Sequence, residues 1–415
     1  MDVVMKIARL VCLIGVSGYG AVHYHDLLRL HQSGEVILAA ATVINPDEES
    51  EKCGVLRSIG CRIYQDYRDM LAAESGISEL CLIPTGIGYH CEMTCAALTA
   101  GMHVLVEKPA AAVIQDVRRM QETERRTGRF VAVGYQAHYS DATLRLKELL
   151  LSGTLGKIER ISCAAYSPRG EEYYTRNSWA GRLWVGDRWI LDSPLHNAFS
   201  HHVNMLTFLA GETLTTSVSI SEVEGELYGA RGLEAPDTAG LRVKTPAGIS
   251  MQFAASHRCA SAGGFARIHC SEGDVYWSVN STRIIRKSGP AEEWQHELDR
   301  DVMLSKVLHR IDDPSAPVCS LEVASVPVLC INGMHESSPV RPIPADAVSV
   351  IPDGEYRETV VPGIESACRD SADQGLLFSE LSLPWAQPGK VVGLRDYREF
   401  PKNVADLNRI HACPS

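Results

Sequence analysis

Over the first 135 residues, apolar positions come in short unbroken runs separated by stretches with a helical period. The runs occupy 9–16 (RLVCLIGV), 36–43 (VILAAATV), 79–84 (ELCLIP), 103–107 (HVLVE) and 130–135 (FVAVGY). A strand that is apolar at every position, not at every second one, belongs in a parallel sheet covered on both faces. Helical stretches near 20–33, 47–59, 89–100 and 112–127 lie between the runs. Strands alternating with helices predict a doubly wound, Rossmann-type α/β domain over residues 1–135.

The period changes after a helix expected at 141–152 and closed by Gly153. Strands now alternate in polarity: Leu241 and Val243 share one face, and Ile249, Met251 and Phe253 share one on the next strand. With runs near 157–167, 215–229, 265–270 and 274–287, they predict an open, mostly antiparallel sheet in an α+β domain over 136–340. One face would pack on helices, among them one near 321–338. The other would be free for a partner subunit, giving a homodimer or homotetramer through the sheet, unless helices of the same chain cover it. From 341 to 415 the chain is Pro-rich and less periodic, with a helical stretch at 363–376 and an extended SELSLPWAQPG; this reads as a C-terminal extension.

Composition narrows the class. The chain has 415 residues, 45% hydrophobic and 22% charged, which fits two globular domains. A net charge of −11 argues against a large nucleic-acid or anionic-membrane footprint. No run reaches the roughly 18 apolar residues of a membrane span. The opening MDVVMKIARL has no polar spacer or small-residue cleavage site and continues into the first strand, so it does not read as a signal peptide. Thirteen cysteines, an odd number with Cys12 and Cys81 inside apolar strands, point to free thiols in a reducing cytoplasm.

Two corners of the first domain carry candidate chemistry. The first strand runs through a glycine turn, Gly15, Ser17, Gly18 and Gly20, into a helix. That arrangement brings a pyrophosphate onto a helix N-terminus. Ser17 replaces the middle glycine of the usual fingerprint, and the bland alternative is a plain corner. The acid expected at the end of the second strand is absent: Val43 stands there, with Asn45 able to bond a ribose hydroxyl. No arginine is nearby for a 2′-phosphate, which favours NAD over NADP. The second corner is Glu107-Lys108-Pro109, where a buried strand ends on a carboxylate, an ammonium and a proline. It reads either as a strand-to-helix turn or as the delivery of Lys108 to a ligand at the sheet's end, with a cis Lys108–Pro109 bond.

Glu107-Lys108-Pro109, Thr85 with His90, Gly134-Tyr135 and the stretch GYQAHYSDATLRLKELLLSGTLGKI together resemble the Gfo/Idh/MocA family, over roughly residues 8 to 340. The resemblance implies an NAD(P)-dependent oxidoreductase that moves hydride between nicotinamide and a hydroxyl-bearing carbon of a sugar, glycoside or cyclitol. Carried onto this chain, it implies a dinucleotide held by Gly15, Ser17, Gly18, Tyr19, Gly20, Asn45, Pro84, Thr85, His90, Glu107, Lys108 and Gln136. Lys108 would stabilise charge developing on the substrate oxygen. Some relatives are instead glycosidases that oxidise a ring hydroxyl transiently, eliminate the aglycone and regenerate NAD; a non-catalytic dinucleotide-binding protein is the third reading.

The family's second signature is an acid followed four residues later by a histidine, on a helix. In WILDSPLHNAFSHHVNMLTFLAG, counting back from Leu209-Ala210-Gly211 places the base at His201 and its partner at Asn197, with His196 and His202 as rivals. Imidazole titrates near neutral pH and suits a general base. Asn197 departs from the family's aspartate, and Asp192 is a substitute carboxylate. Upstream, Arg169, Tyr174, Arg182, Trp184 and Trp189 form an aromatic and cationic loop suited to a sugar ring, or simply to loop packing. With Lys108, Gln136, Asp192, His196, Asn197 and His201 they make the candidate substrate set. The length of the loop favours a glycoside or larger polyol over a small acid. The histidine spacing matches no zinc motif, and no metal is expected.

Overall fold

A computed structural model of the chain describes residues 8–296, 300–353 and 356–402. The very start of the chain and the last part of the C-terminal extension, 403–415, therefore lie outside the described residues. The fold is α/β, a parallel six-stranded sheet and a mostly antiparallel ten-stranded sheet, each in its own compact unit. The first unit comprises residues up to Ala111, Asp116–Tyr139 and a later segment ending at Leu321; the second holds Ala112–Gln115, the stretch beginning at Ser140, and residues from Glu322 on.

In the first unit β1 (Arg9–Ile14), β2 (Val36–Thr42), β3 (Arg62–Tyr64), β4 (Leu80–Ile83), β5 (His103–Val106) and β6 (Val131–Val133) pair in the order β3-β2-β1-β4-β5-β6, all parallel. Val11, Leu13, Leu82 and Leu105 are fully buried, as continuous apolar runs require. The helices are α1 (Gly20–Gln32), α2 (Ser50–Ser58), α3 (Tyr67–Ala73), α4 (His90–Thr99) and α5 (Ile114–Thr127), the last beginning in the second unit's segment. The apolar pattern does not announce β3 or α3. An edge strand of three residues, Arg62-Ile63-Tyr64, buries no face completely and leaves no apolar run. Chain order reverses between β1 and β4, and in open α/β sheets ligands bind at such a switch point.

The second unit begins with α6 (Asp141–Leu151) and β7 (Ile158–Tyr166). A loop follows with α7 (Glu171–Thr175), the hairpin β8 (Trp184–Val185) and β9 (Arg188–Trp189), and α8 (Ser200–Leu209). Then come β10 (Glu222–Gly229), β11 (Thr238–Lys244), β12 (Ser250–Ser256), β13 (Gly263–Cys270), β14 (Gly273–Trp277), β15 (Ser281–Arg286) and β16 (Glu292–Gln295). Helix α9 (Arg300–Asp312) belongs to the first unit, and α10 (Leu321–Ser337) lies almost wholly in the second. The strand expected at 215–229 starts only at 222, and the run 274–287 is a hairpin turning where Ser278 N–H bonds Ser281 O at 2.8 Å. The sheet runs β16-β15-β14-β13-β7-β12-β11-β10-β17, with β17 at Val340–Pro342; only the β7–β12 and β10–β17 pairs are parallel.

Register puts Leu241 opposite Phe253 and Val243 opposite both Met251 and Val223. This face meets α10 closely: a Cβ on Gly225 would fall 2.6 Å from Met334 Cγ, so only glycine fits. The opposite face, expected to be free, is covered within the chain. Residues beyond β17 supply a hairpin of β18 (Ser349–Asp353) and β19 (Tyr356–Val360), then α11 (Ile364–Gln374). Ala164, Tyr166, Tyr228 and Ala254 of the sheet form one buried cluster with Ile364, Ala367, Cys368, Ala372 and Phe378. Gln252 Nε2 donates to Ser371 Oγ at 3.1 Å and Leu376 O at 3.0 Å. The stretch expected to be extended instead opens with a helical turn, Phe378–Leu381, before β20 (Val392–Gly393) pairs with β10.

Candidate active site

The glycine turn of the first unit is built for close backbone approach. Gly15 and Gly18 have φ of +95° and +54°, where side chains are disfavoured. A Cβ on Gly20 would sit 2.6 Å from Gly15 O, so the helix packs directly on the turn. No acidic residue lies in the first turn of α1, leaving its N-terminal dipole available to an anion. Ser17, at the missing glycine, has Oγ 3.4 Å from Asn45 Oδ1, while Asn45 Nδ2 donates to Glu48 Oε2 at 2.7 Å. These residues fit a dinucleotide: pyrophosphate at the turn and a ribose beside Asn45. Across the switch point Thr85 Cγ2 would be 3.9 Å from a Cβ on Gly15.

The second corner is held by a buried charge network. Lys108–Pro109 is cis, as expected. His90, 1% exposed, bridges Pro109 O at 2.9 Å and Thr85 O at 3.0 Å, tying the corner to the end of β4. Burial lowers the pKa of His90, opposed by those two carbonyls. Glu107 is also buried, with Oε1 2.8 Å from His23 Nε2 and 3.6 Å from Arg300 Nη1. Its Oε2 accepts from Lys108 N–H at 3.1 Å. Burial pushes this carboxyl up, but the bond to His23 and the charges of His23, Lys108 and Arg300 outweigh it and bring its pKa down to about 2. Gly134 makes room, since a Cβ there would touch the Glu107 carboxylate at 2.9 Å.

Arg300 carries the network onward. Its Nη1 donates to Tyr19 Oη at 3.0 Å and its Nε to Asp26 Oδ2 at 2.6 Å, while Gln136 Nε2 reaches Tyr19 Oη at 3.3 Å. The glycine turn and the lysine corner are thus one connected structure. Sequence reading named Tyr19, Glu107 and Gln136 but missed His23 and Arg300. His23 left a readable trace as a polar residue on the buried face of α1, beside Gly20, Tyr24 and Leu27.

In the second unit α8 begins at Ser200, so Asn197 is not on the same helix as His201. Residues 194–199 wind as turns, with Asn197 N–H bonded to Ser193 O and Ser200 Oγ to Asn197 O. Asn197 Nδ2 instead donates to Asp192 Oδ1 at 3.2 Å and to Tyr173 Oη at 3.3 Å. Asp192, 5% exposed, is fixed from behind by Gly181 N–H at 2.7 Å. A carboxylate, that of Asp192, therefore stands next to the Asn197 amide. His201 is half-buried and His196 is buried. His202 packs edge-on against Trp277 and Phe199, and burial lowers its pKa to about 4.

The aromatic loop divides. Tyr174 Oη lies 3.0 Å from His257 Nδ1, and the Tyr173 ring packs against His257 and under Arg169 and Arg176. Arg182 is paired with Glu234 at 2.6 Å, and Trp184 and Trp189 pack edge-on together, with Trp189 against Phe400. His257 and Arg258, just past the end of β12, are functional candidates that strand patterning gave no reason to single out.

Residues 9–135 match the family described as an oxidoreductase family with an NAD-binding Rossmann fold, and 143–276 match the GFO/IDH/MocA C-terminal domain. An inositol 2-dehydrogenase of Serratia proteamaculans is 28% identical over 187 residues, covering 43% of this chain and 54% of the relative. The chain spans about half the length of the curated relatives it matches. The WlbA dehydrogenase of Bordetella pertussis, solved with NADH and UDP-GlcNAcA, superposes with a TM-score of 0.64 at 21% identity, over 80% of this chain and 96% of that one. An inositol dehydrogenase homolog of Azotobacter vinelandii, solved with NAD+, gives 0.64 at 17% identity, over 79% and 95%. With family matches on both sides of the boundary between its two sheets, this chain belongs to the GFO/IDH/MocA oxidoreductase family.

Proposed function

We propose that the chain is an NAD-dependent dehydrogenase that oxidises a hydroxyl-bearing carbon of a sugar, glycoside or cyclitol. The observation that carries this reading is the Glu107–Arg300–Tyr19 connection, which joins a dinucleotide-type glycine turn to the Lys108 corner. NAD is favoured over NADP because Glu48 and Glu49 stand beside Asn45 and Ser17, where carboxylates would repel a 2′-phosphate. When bound, the nicotinamide supplies the hydride acceptor. In this reading Lys108 stabilises the negative charge that develops on the substrate oxygen, and His201 takes the hydroxyl proton. Asn197, polarised by Asp192, orients a substrate hydroxyl, which replaces by relay the charge that an aspartate would place there directly.

Other features bear on setting. Among the described residues twelve cysteines are free and buried, which supports a reducing compartment such as the cytoplasm. No helix among them is long and apolar enough to cross a membrane. Assembly as a homodimer or homotetramer through the second sheet would have to use surface other than the face covered by α11. The test of function is direct: NADH should accumulate when purified protein is given NAD and a panel of sugars and cyclitols. Aglycone release from glycosides with no NADH would transfer the chain to the glycosidase reading.

A further inference from the structure

The loop before α8 holds two guanidinium groups, those of Arg169 and Arg176, that no carboxylate pairs among the described residues. Four carboxylates beside it already have partners: Asp237 with Arg258 at 2.8 Å, Glu171 with Arg231 at 3.2 Å, Glu234 with Arg182, and Asp192 with Gly181 and Asn197. Arg169 spends one nitrogen, Nη1, on Ser167 Oγ and Pro168 O, both at 3.1 Å, and Arg176 donates to Tyr173 O. Their guanidinium carbons lie 5.1 and 3.5 Å from the centre of the Tyr173 ring, whose hydroxyl accepts from Asn197.

Donors without acceptors surround the same place. Arg169 Nε, Arg231 Nη1 and Arg258 Nη2 are buried and have no hydrogen-bond partner among the described residues, nor does His257 Nε2. Arg258 is fully buried and His257 is 3% exposed. Arg258 Nη1 donates to Arg169 O, and Tyr174 lies under Arg258 and against His257, so these groups form one cluster. An unpaired buried guanidinium N–H is costly, and Arg231 joins the same cluster, its guanidinium carbon 5.9 Å from the centre of the Tyr174 ring. Their common missing partner is an oxygen anion, which guanidinium groups bind with paired, charge-assisted hydrogen bonds.

We propose that the substrate carries an anionic group, a carboxylate or a phosphate, that docks on Arg169 and Arg176 beside Tyr173. The inference rests on the dehydrogenase reading above, and it narrows the substrate from polyols in general to acid-bearing sugars. Asn197 orients the reacting hydroxyl and Tyr173 separates it from the anion, so the acid sits within the same sugar unit or on its neighbour. A neutral ring of the same shape leaves both guanidinium groups unpaired and binds weakly.

The test is titration calorimetry of NAD-supplemented protein with glucose, glucuronate and glucose 6-phosphate, each arm also followed for NADH. At least one charged sugar should bind tenfold or more tightly than glucose, and which one does so separates carboxylate from phosphate. Arg169→Gln should bring that ratio close to one, with melting temperature as the control for folding. Arg176→Gln, at an exposed position, should lower the ratio without a folding risk. Equal affinity for all three sugars, no binding of either charged sugar, or a preference that survives both substitutions overturns the inference. Preferred binding of a charged sugar without NADH formation would leave the inference standing and remove the dehydrogenase reading instead.

Discussion

The lysine corner of the first unit and the histidine turn of the second hold their functional side chains by different means. At the corner the backbone does the positioning: Pro109 carbonyl is fixed by His90, and Lys108 N–H is fixed by a carboxylate that is itself buried between His23 and Arg300. At the turn, side chains position one another: Asn197 is held by Asp192 and Tyr173, which sit on the loop before α8. A site fixed by backbone tolerates little sequence change and leaves a motif. A site fixed by reciprocal side chains admits substitution in pairs.

Removing the two groups proposed to act on the reacting hydroxyl should have the largest effects. Lys108→Ala should lower kcat by about a hundredfold or more, the scale of losing one electrostatic stabiliser, while fluorescence titration still shows dinucleotide binding. His201→Ala should cost roughly a hundredfold, the usual weight of a general base, and flatten the acid limb of the pH–rate profile. His202→Ala should instead lower the melting temperature with little effect on turnover, because that ring is neutral and packed against Trp277. A large activity loss in His202→Ala with a mild one in His201→Ala would reverse the assignment of the base.

An intermediate effect is expected at the anchor of the corner. Glu107→Gln removes a buried charge facing His23 and Arg300, and breaking such a pair typically costs 3–5 kcal/mol. The carboxyl's pKa in the folded chain is about 2, below its ordinary value of 4.5. Its contribution is therefore complete above pH 4.5 and is lost as pH falls from there towards 2. Denaturant melts of wild type should lose stability through that window, and the Glu107→Gln variant should lose less. Parallel acid profiles for the two proteins would show that Glu107 is not the group held down by the network.

The smallest effect sharpens the contrast at the turn. Asn197→Asp adds a carboxyl, but Asp192 already lies 3.2 Å from that side chain, so the two carboxyls would share one proton. The apparent pKa of the base should rise by less than about one unit. In Asp192→Asn/Asn197→Asp, which moves the charge without adding one, the rise should be larger. Identical shifts in the single and double variants would separate Asp192 from the base altogether.

Legibility followed the same division. The parallel strands could be read because burial on both faces writes an apolar residue at every position, and β3 could not because an edge needs none. Glu107-Lys108-Pro109 could be read as a unit, whereas the partners that explain its acid, His23 and Arg300, lie far along the chain in either direction. The helical stretch of α11 was visible from its pattern, but nothing local said that it docks on Ala164, Tyr166 and Ala254. That docking changes the expected assembly: light scattering should show no dimer whose interface includes the α11 face, and crosslinks across it would contradict the coverage.

The measurement that bears most directly on the dehydrogenase claim is a single incubation of purified protein with NAD and a chromogenic glycoside of an acidic sugar, following NADH absorbance and aglycone release together. The account predicts that NADH accumulates with the aglycone still attached, and that Lys108→Ala abolishes the signal. Aglycone release without net NADH would contradict it.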